Sequence, residues 1–222
     1  MINVENYKRI IDELGDKVTL VAVSKTKPVE DILALYDLGQ RDFGENYVQE
    51  ITEKYEQLPK DIRWHFIGHL QSNKVKQIAS FVQLIHGVDS LKLLGEIDKQ
   101  AEKNKRTIDC LLQVYIAQEE TKFGLDEEDL NVLMSQYADE PMTNARIIGL
   151  MGMASLTEDM GKVRKEFEYL KTLFDQLRTH DPIAIGSQLT ILSMGMSSDY
   201  KIAMEEGSNM VRIGSLLFGE RK

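Results

Sequence analysis

Residues 18–28 read VTLVAVSKTKP: six β-branched, leucine and alanine residues stop abruptly at Ser24-Lys25, and the chain then turns at Pro28. An unbroken apolar run of this length fits a strand covered on both faces, as strands of parallel sheets are. Comparable runs follow at 41–46, 63–68, 82–89, 108–116, 145–153, 188–196 and 209–219. Helical patterns lie between them. PVEDILALYDLG carries apolar residues at Val29, Ile32, Leu33, Leu35 and Tyr36, with Pro28 suited to a first turn and Gly39 to a stop. SLKLLGEIDKQAEKN opens on Ser90 as an N-cap. Residues 159–180 place Val163, Phe167, Leu170, Leu173, Phe174 and Leu177 on one stripe. Parallel strands need crossover connections, and eight strand–helix units close most simply as a single (β/α)8 TIM barrel over residues 1–222, led by an extra helix at 3–14. An open doubly wound sheet is the alternative, but the glycine-rich dinucleotide fingerprint is missing, and GSLLFG (214–219) is not one. Barrels typically take about 250 residues, so this chain implies short loops and an open mouth.

A net charge of −9 and the lack of any Lys/Arg block argue against nucleic acid as a partner, because phosphate backbones demand a concentrated cationic surface. The first residues, MINVENYKRIIDELGDK, lack the apolar core of a signal peptide, and no apolar run is long enough to span a membrane. The lone Cys110 precludes an intrachain disulfide and fits a reducing cytoplasm; within IDCLLQVYI it reads as an inert buried thiol.

Barrel chemistry sits at the C-terminal ends of the strands. In this sequence that edge carries Ser24-Lys25, Glu45-Asn46, His65, Gly68 and His69, then His86 and Asp89, Met151 and Met153, Ser193, Gly195 and Ser197, and Gly214-Ser215. Alternation puts Lys25 on one face with Thr19, Val21 and Val23. If that face is the interior, the amine is partly desolvated and nucleophilic, suited to a Schiff base with an aldehyde. Otherwise the lysine has left the strand and reaches for water. LSMGMSSD (192–199) and VRIGSLLFG (211–219) each run from a strand into a Ser/Gly turn and a helix. Loops after strands 7 and 8 are the recurring phosphate site of barrels, though the same turns could simply need glycine. Phosphate anchor and lysine become neighbours on closure, and pyridoxal 5′-phosphate offers both a phosphate and an aldehyde in one rigid frame. Arg212, two residues before Gly214, would then face the pyridine nitrogen and keep it unprotonated. The alternative for Arg212 is an ion pair inside the barrel, for instance with Glu45.

AVSKTKP (22–28), FGENYVQE (43–50), WHFIGHLQSNK (64–74), LSMGMSSD (192–199) and MVRIGSLLFG (210–219) closely resemble the pyridoxal phosphate homeostasis proteins, the YggS/PROSC type, over essentially the whole chain. The resemblance implies a barrel like the N-terminal domain of alanine racemase, with pyridoxal 5′-phosphate carried covalently on Lys25. It implies a phosphate held around Ser193, Met194, Gly195, Met196 and Ser197 and by Gly214 and Ser215, with Arg212 toward the ring nitrogen. Asn46 and His65 would line the pocket; His69 stands where many members carry proline.

The family is regarded as a carrier or regulator that keeps vitamin B6 and amino-acid pools balanced, without established turnover, so no catalytic residue is expected. Racemases of this fold continue into a second domain that supplies the other acid/base, whereas this sequence stops at Lys222. A monomer handing cofactor to apo-enzymes is therefore expected; a racemase, or a lysine-dependent aldolase, is the competing reading. The two histidines of HFIGH lack a third ligand, so a metal is not expected. His86 and His180 read as structural and surface residues, the rim methionines as packing that could reach a ring, and Lys122 as an exposed lysine or a second amine for hand-over.

Overall fold

The computed structural model describes residues 2–117, 124–140, 142–180 and 188–219. Its elements run α1 (Val4–Leu14), β1 (Thr19–Val23), α2 (Val29–Asp37), β2 (Asp42–Glu45), α3 (Val48–Gln57), β3 (Arg63–Phe66), a 3-10 turn (Ser72–Lys74), α4 (Val75–Ile78), β4 (Leu84–Val88), α5 (Leu91–Lys103), β5 (Ile108–Val114), α6 (Glu127–Asp139), β6 (Ala145–Gly152), α7 (Met160–His180), β7 (Ile191–Ser193), α8 (Tyr200–Glu205), β8 (Met210–Ile213) and α9 (Ser215–Phe218). The eight strands are all parallel and close in sequential order, β8 pairing with β1 through Leu20↔Val211 and Ala22↔Ile213. Among the described residues, no helix is long and apolar enough to cross a membrane.

Local signals set the element ends. Asn3 caps α1 by accepting from Asn6 N–H at 2.9 Å, and Ser90 caps α5 by accepting from Leu93 N–H at 3.3 Å. α1 then docks on α9, with Asn3 N–H donating to Leu217 O at 2.7 Å. The last two apolar runs are shorter as strands than as sequence. At Gly195 the backbone turns into the left-handed region (φ 97°), and at Gly214 the run 209–219 breaks into a strand and a one-turn helix.

Strand alternation divides the core in two. Leu20, Ala22, Phe43, Trp64, Phe66, Ile85, Cys110, Leu112, Leu192 and Ile213 face outward and are buried beneath the helices. Val21, Leu84, Leu111, Met151 and Met210 meet inside the barrel. That inner cluster is small. Barrels usually fill this space with bulky branched side chains, but here the interior also holds glycine and buried polar groups. A Cβ on Gly44 would come within 2.9 Å of Val21, and His65, His86, Ser193 and Arg212 are each at most 4% exposed.

Candidate functional site

At the C-terminal edge of the strands lies a cavity of about 410 Å³, within the usual size of a small-ligand site. Lys25, Asn46, Met196, Ser197, Arg212, Gly214 and Ser215 all line it, together with Val23, Lys27, Ile67, Met153 and Leu156. Lys25 is half-buried, as expected if β1 continues its alternation past Val23. A clamp on the outer side of the wall fixes the backbone around it. Ser24 Oγ–H donates to Glu45 Oε1 at 2.6 Å; Lys54 Nζ donates to Ser24 O at 2.8 Å, Glu45 Oε1 at 2.7 Å and Glu50 Oε1 at 2.6 Å. Glu50 Oε1 also accepts from Thr26 N–H at 2.6 Å. Thr26 needs that support, because a β-branched residue at φ 62° is strained. Burial pushes the Glu45 carboxyl up to about 7, against the pull of Lys54.

Glu45 and Asn46 are adjacent, so they face opposite sides of the wall. Glu45 therefore cannot pair with Arg212, which removes the ion pair weighed above. Asn46 turns into the cavity, and its Oδ1 is buried with no hydrogen-bond partner among the described residues. Arg212 forms part of the floor. Its Nη1 donates to Ser193 O at 2.9 Å and to Ser193 Oγ at 2.6 Å, and its Nη2 donates to Gly152 O at 2.9 Å. These three bonds leave guanidinium donors over. Burial lowers its pKa to about 10, offset in part by Asp199, so it remains a cation and an obligate donor at neutral pH.

The corner after β7 and β8 is small and lined with donors. Gly214 N–H meets Ser197 Oγ at 3.3 Å, and the N–H groups of Ser197, Ser198, Ser215 and Leu216 find no acceptor among the described residues. Met196 N–H instead binds Asp199 Oδ1 at 2.6 Å, which folds the first turn back on itself. A Cβ on Gly214 would press on Val23 O at 3.2 Å, so glycine keeps this corner open. α8 and α9 are too short to bring a large dipole, and exposed N–H groups make the concavity attractive to an anion.

Four residues expected at the pocket lie elsewhere. Ser193 points inward one layer below the mouth and is fully buried, and Met194 alternates outward into the helix-facing core. Gly195 presents only backbone: its O accepts from Arg212 N–H at 3.0 Å, and a Cβ would strike that of Ala203 at 2.6 Å. His65 sits deeper still, its Nε2 3.0 Å from Asp42 Oδ1 and its Nδ1 2.9 Å from His86 Nε2. The strand period explains these cases, since the mouth begins one inward position later, at Ile67 just past β3 and at Gly214 just past β8. The exposed His69 pairs with Asp89 at 3.3 Å, and the described residues contain no group of three metal-ligating side chains. Lys122 lies outside the described residues. His180 ends α7. Glu45, read from sequence as a rim residue, faces the clamp instead; its partners Glu50 and Lys54 and the pocket residues Lys27 and Leu156 carry no site signal in the sequence beyond the Glu50–Lys54 spacing on α3.

The barrel and its rim lysine define a protein of the alanine racemase barrel type. A family model described as the N-terminal domain of alanine racemase matches residues 3–222. The chain is 45% identical over 204 residues to the pyridoxal phosphate homeostasis protein of Aquifex aeolicus, covering 91% of this chain and 87% of that one. It is 40% identical to the protein of that name from Synechocystis, with 97% of each covered. The chain belongs to the pyridoxal phosphate homeostasis protein family. The solved structure of PipY from Synechococcus elongatus with PLP bound superposes with a TM-score of 0.88 at 36% identity, covering 97% of this chain and 99% of that one. Alanine racemase of Clostridium difficile, at 15% identity and a TM-score of 0.77, shares the fold; this chain spans 58% of its length.

Proposed function

We propose that this chain holds pyridoxal 5′-phosphate covalently on Lys25 and serves vitamin B6 homeostasis as a carrier rather than as an enzyme with turnover of its own. One observation carries the reading: the Lys25 amine, the donor-rich corner after β7 and β8, and Arg212 share a single cavity. The residues fit the group. Asn46 has an unmet buried oxygen, the corner offers N–H groups to a phosphate, and Gly214 leaves room for it. When bound, the cofactor supplies an electron-withdrawing ring.

Ser197, Gly214 and Ser215 would grip the phosphate, and Lys25, its backbone pinned by Glu45, Lys54 and Glu50, would hold the aldehyde carbon. Arg212 only donates, so its remaining N–H groups, facing the ring nitrogen, would give a hydrogen bond but no proton. An unprotonated ring withdraws electrons weakly, which suits holding over catalysis. The mouth is open, with Leu156 88% exposed at its edge, so the cofactor site lies within reach of apo-enzyme recipients and a monomer suffices.

The test pairs wild type with Lys25→Ala. Wild type incubated with pyridoxal 5′-phosphate develops a visible band that survives desalting, and the variant does not. Neither accelerates Cα-deuterium exchange of alanine or serine beyond free cofactor. A retained band in the variant overturns the covalent site. Exchange far above free cofactor overturns the carrier in favour of a racemase.

A further inference from the structure

An uninterrupted polar chain crosses the barrel interior from one end to the other. Arg63 Nε donates to Asp42 Oδ1 at 2.8 Å at the N-terminal end, where Asp42 and His65 border a separate cavity. His65 Nε2 lies 3.0 Å from the same Oδ1, His65 Nδ1 lies 2.9 Å from His86 Nε2, and His86 Nδ1 lies 3.3 Å from Ser193 Oγ. Ser193 Oγ accepts from Arg212 Nη1 at 2.6 Å, on the floor of the Lys25 cavity.

Hydrogen-bond inventory fixes the direction of every link. The Asp42 carboxylate only accepts, so His65 carries its proton on Nε2. A neutral His65 then accepts at Nδ1, His86 donates from Nε2 and accepts at Nδ1, and the Ser193 hydroxyl donates to it. Working from the other end gives the same answer: Arg212 only donates, so Ser193 Oγ accepts from it and sends its own proton onward. Each member is satisfied only when both imidazoles are neutral with the proton on Nε2.

The charged and titratable groups facing His86 agree with that state. His65 from β3 touches the Nε2 of His86, Asp42 from β2 lies behind His65, and Arg212 from β8 lies behind Ser193. Burial, then the neighbouring His65 and Arg212, holds the His86 pKa well below the usual histidine value.

We propose that His65, His86 and Ser193 are positioning residues for Arg212, forming a one-directional relay anchored at Asp42 that holds the guanidinium at the pocket floor with its free donors facing upward. Four strands contribute, β2, β3, β4 and β7, and none of these side chains reaches the mouth. The relay occupies the layer that bulky branched residues would otherwise fill, which explains why the barrel interior gives up apolar packing here. Chains in which every group is satisfied rigidify their members.

The claim about cofactor rests on the reading of Lys25 and Arg212 above, so the test has two arms. Nitrogen-15 NMR of the cofactor-free protein, with rings assigned through His65→Gln and His86→Gln, reads both imidazoles as Nε2–H tautomers at pH 8, and His86 keeps that form down to pH 6. An Nδ1–H form of either ring at pH 8, or a protonated His86 at pH 6, overturns the relay, whatever the cofactor does. In the second arm, His86→Leu weakens pyridoxal 5′-phosphate binding about tenfold, the scale of one lost buried hydrogen bond. It also moves the visible band in the same direction as Arg212→Met. His86→Gln, whose amide accepts and donates in the same sense, returns both values to within about twofold of wild type. Should His86→Leu not fold, Ser193→Ala removes only the hydroxyl and is read the same way. Affinity and band both unchanged in a folded His86→Leu or Ser193→Ala protein overturn the positioning role. Wild type that takes up no cofactor defeats the functional reading, and the NMR arm then decides the relay alone.

Discussion

Asp42 is the anchor of the inner relay, and its charge should be measurable as stability. Burial by itself would raise its pKa, but hydrogen bonds from Arg63 and His65, and the Arg63 charge, outweigh that and bring it from 3.8 to about 2. At about 1.36 kcal/mol per pH unit, the ionised Asp42 contributes about 2 kcal/mol to folding at neutral pH. The sign follows from a depressed carboxylate: the folded state binds the proton less tightly than the unfolded chain. The contribution is thus complete above about pH 5, roughly half remains at pH 3, and little is left at pH 2. Asp42→Asn keeps an acceptor for His65 and Arg63 while removing the charge. Urea denaturation at pH 7 should show the variant less stable by about 2 kcal/mol, and at pH 3 the gap between the two proteins should have narrowed to about half. A difference below about 0.5 kcal/mol at pH 7, or one that does not change with pH, would refute the assignment of Asp42 as an ionised, buried partner of His65.

Gly195→Ala forces a side chain into φ 97° and against Ala203 at 2.6 Å, so a loss of about 1–3 kcal/mol is expected, read as a drop in Tm. The Cys110 thiol is fully buried and burial pushes its pKa up, so a thiol reagent should modify no cysteine in the native protein and one in denaturant; rapid native labelling would contradict the fold around β5. Glu50→Gln weakens the bonds to Thr26 N–H and Lys54 at the partly exposed edge of the clamp. Stability should change by less than about 1 kcal/mol, as for other partly exposed ion pairs. Cofactor capture by Lys25 should slow severalfold in stopped-flow absorbance, and an unchanged capture rate would separate the clamp from the site.

The barrel could be read from sequence because fully buried strands announce themselves as apolar runs, and every run from 18–24 to 209–219 became a strand. The mouth residues Lys25, Asn46, Met196, Ser197, Arg212, Gly214 and Ser215 could be read as well, because barrel chemistry clusters at one end of the strands. The depth of a residue was harder to read. Sequence shows that Ser193 and Arg212 belong to late strands, but not that the inward positions before Ile67 and Gly195 are roofed over by the next layer. His65 and His86 lie 21 residues apart and meet only because β3 and β4 pair through His65↔Leu84. Buried polar partners drawn from different strands have no periodicity to betray them. Glu45 hides for a related reason: it adjoins Asn46 in FGENYVQE as if in one site, yet period-two alternation sends it through the wall to Lys54.

That split suggests why polar residues are tolerated on both sides of so small a sheet. The two groups that would fix the ends of a bound ring, Lys25 just past β1 and Arg212 on the neighbouring β8, are braced from opposite directions. Lys25 is held from outside, through Ser24 and Thr26, by the clamp of Glu45, Glu50 and Lys54. Arg212 is held from inside by Ser193 and the histidines behind it. A hydrophobic brace could fill either space but could not fix a side chain's direction, because dispersion is non-directional and hydrogen bonds are not. Cutting one brace should therefore move one end of the ring and leave the other in place. Glu50→Gln should alter the rate of capture at Lys25 without moving the absorbance band, and Ser193→Ala should move the band without altering that rate. If both variants changed both quantities equally, the braces would not be independent, and the barrel wall between β1 and β8 would be transmitting strain as one unit.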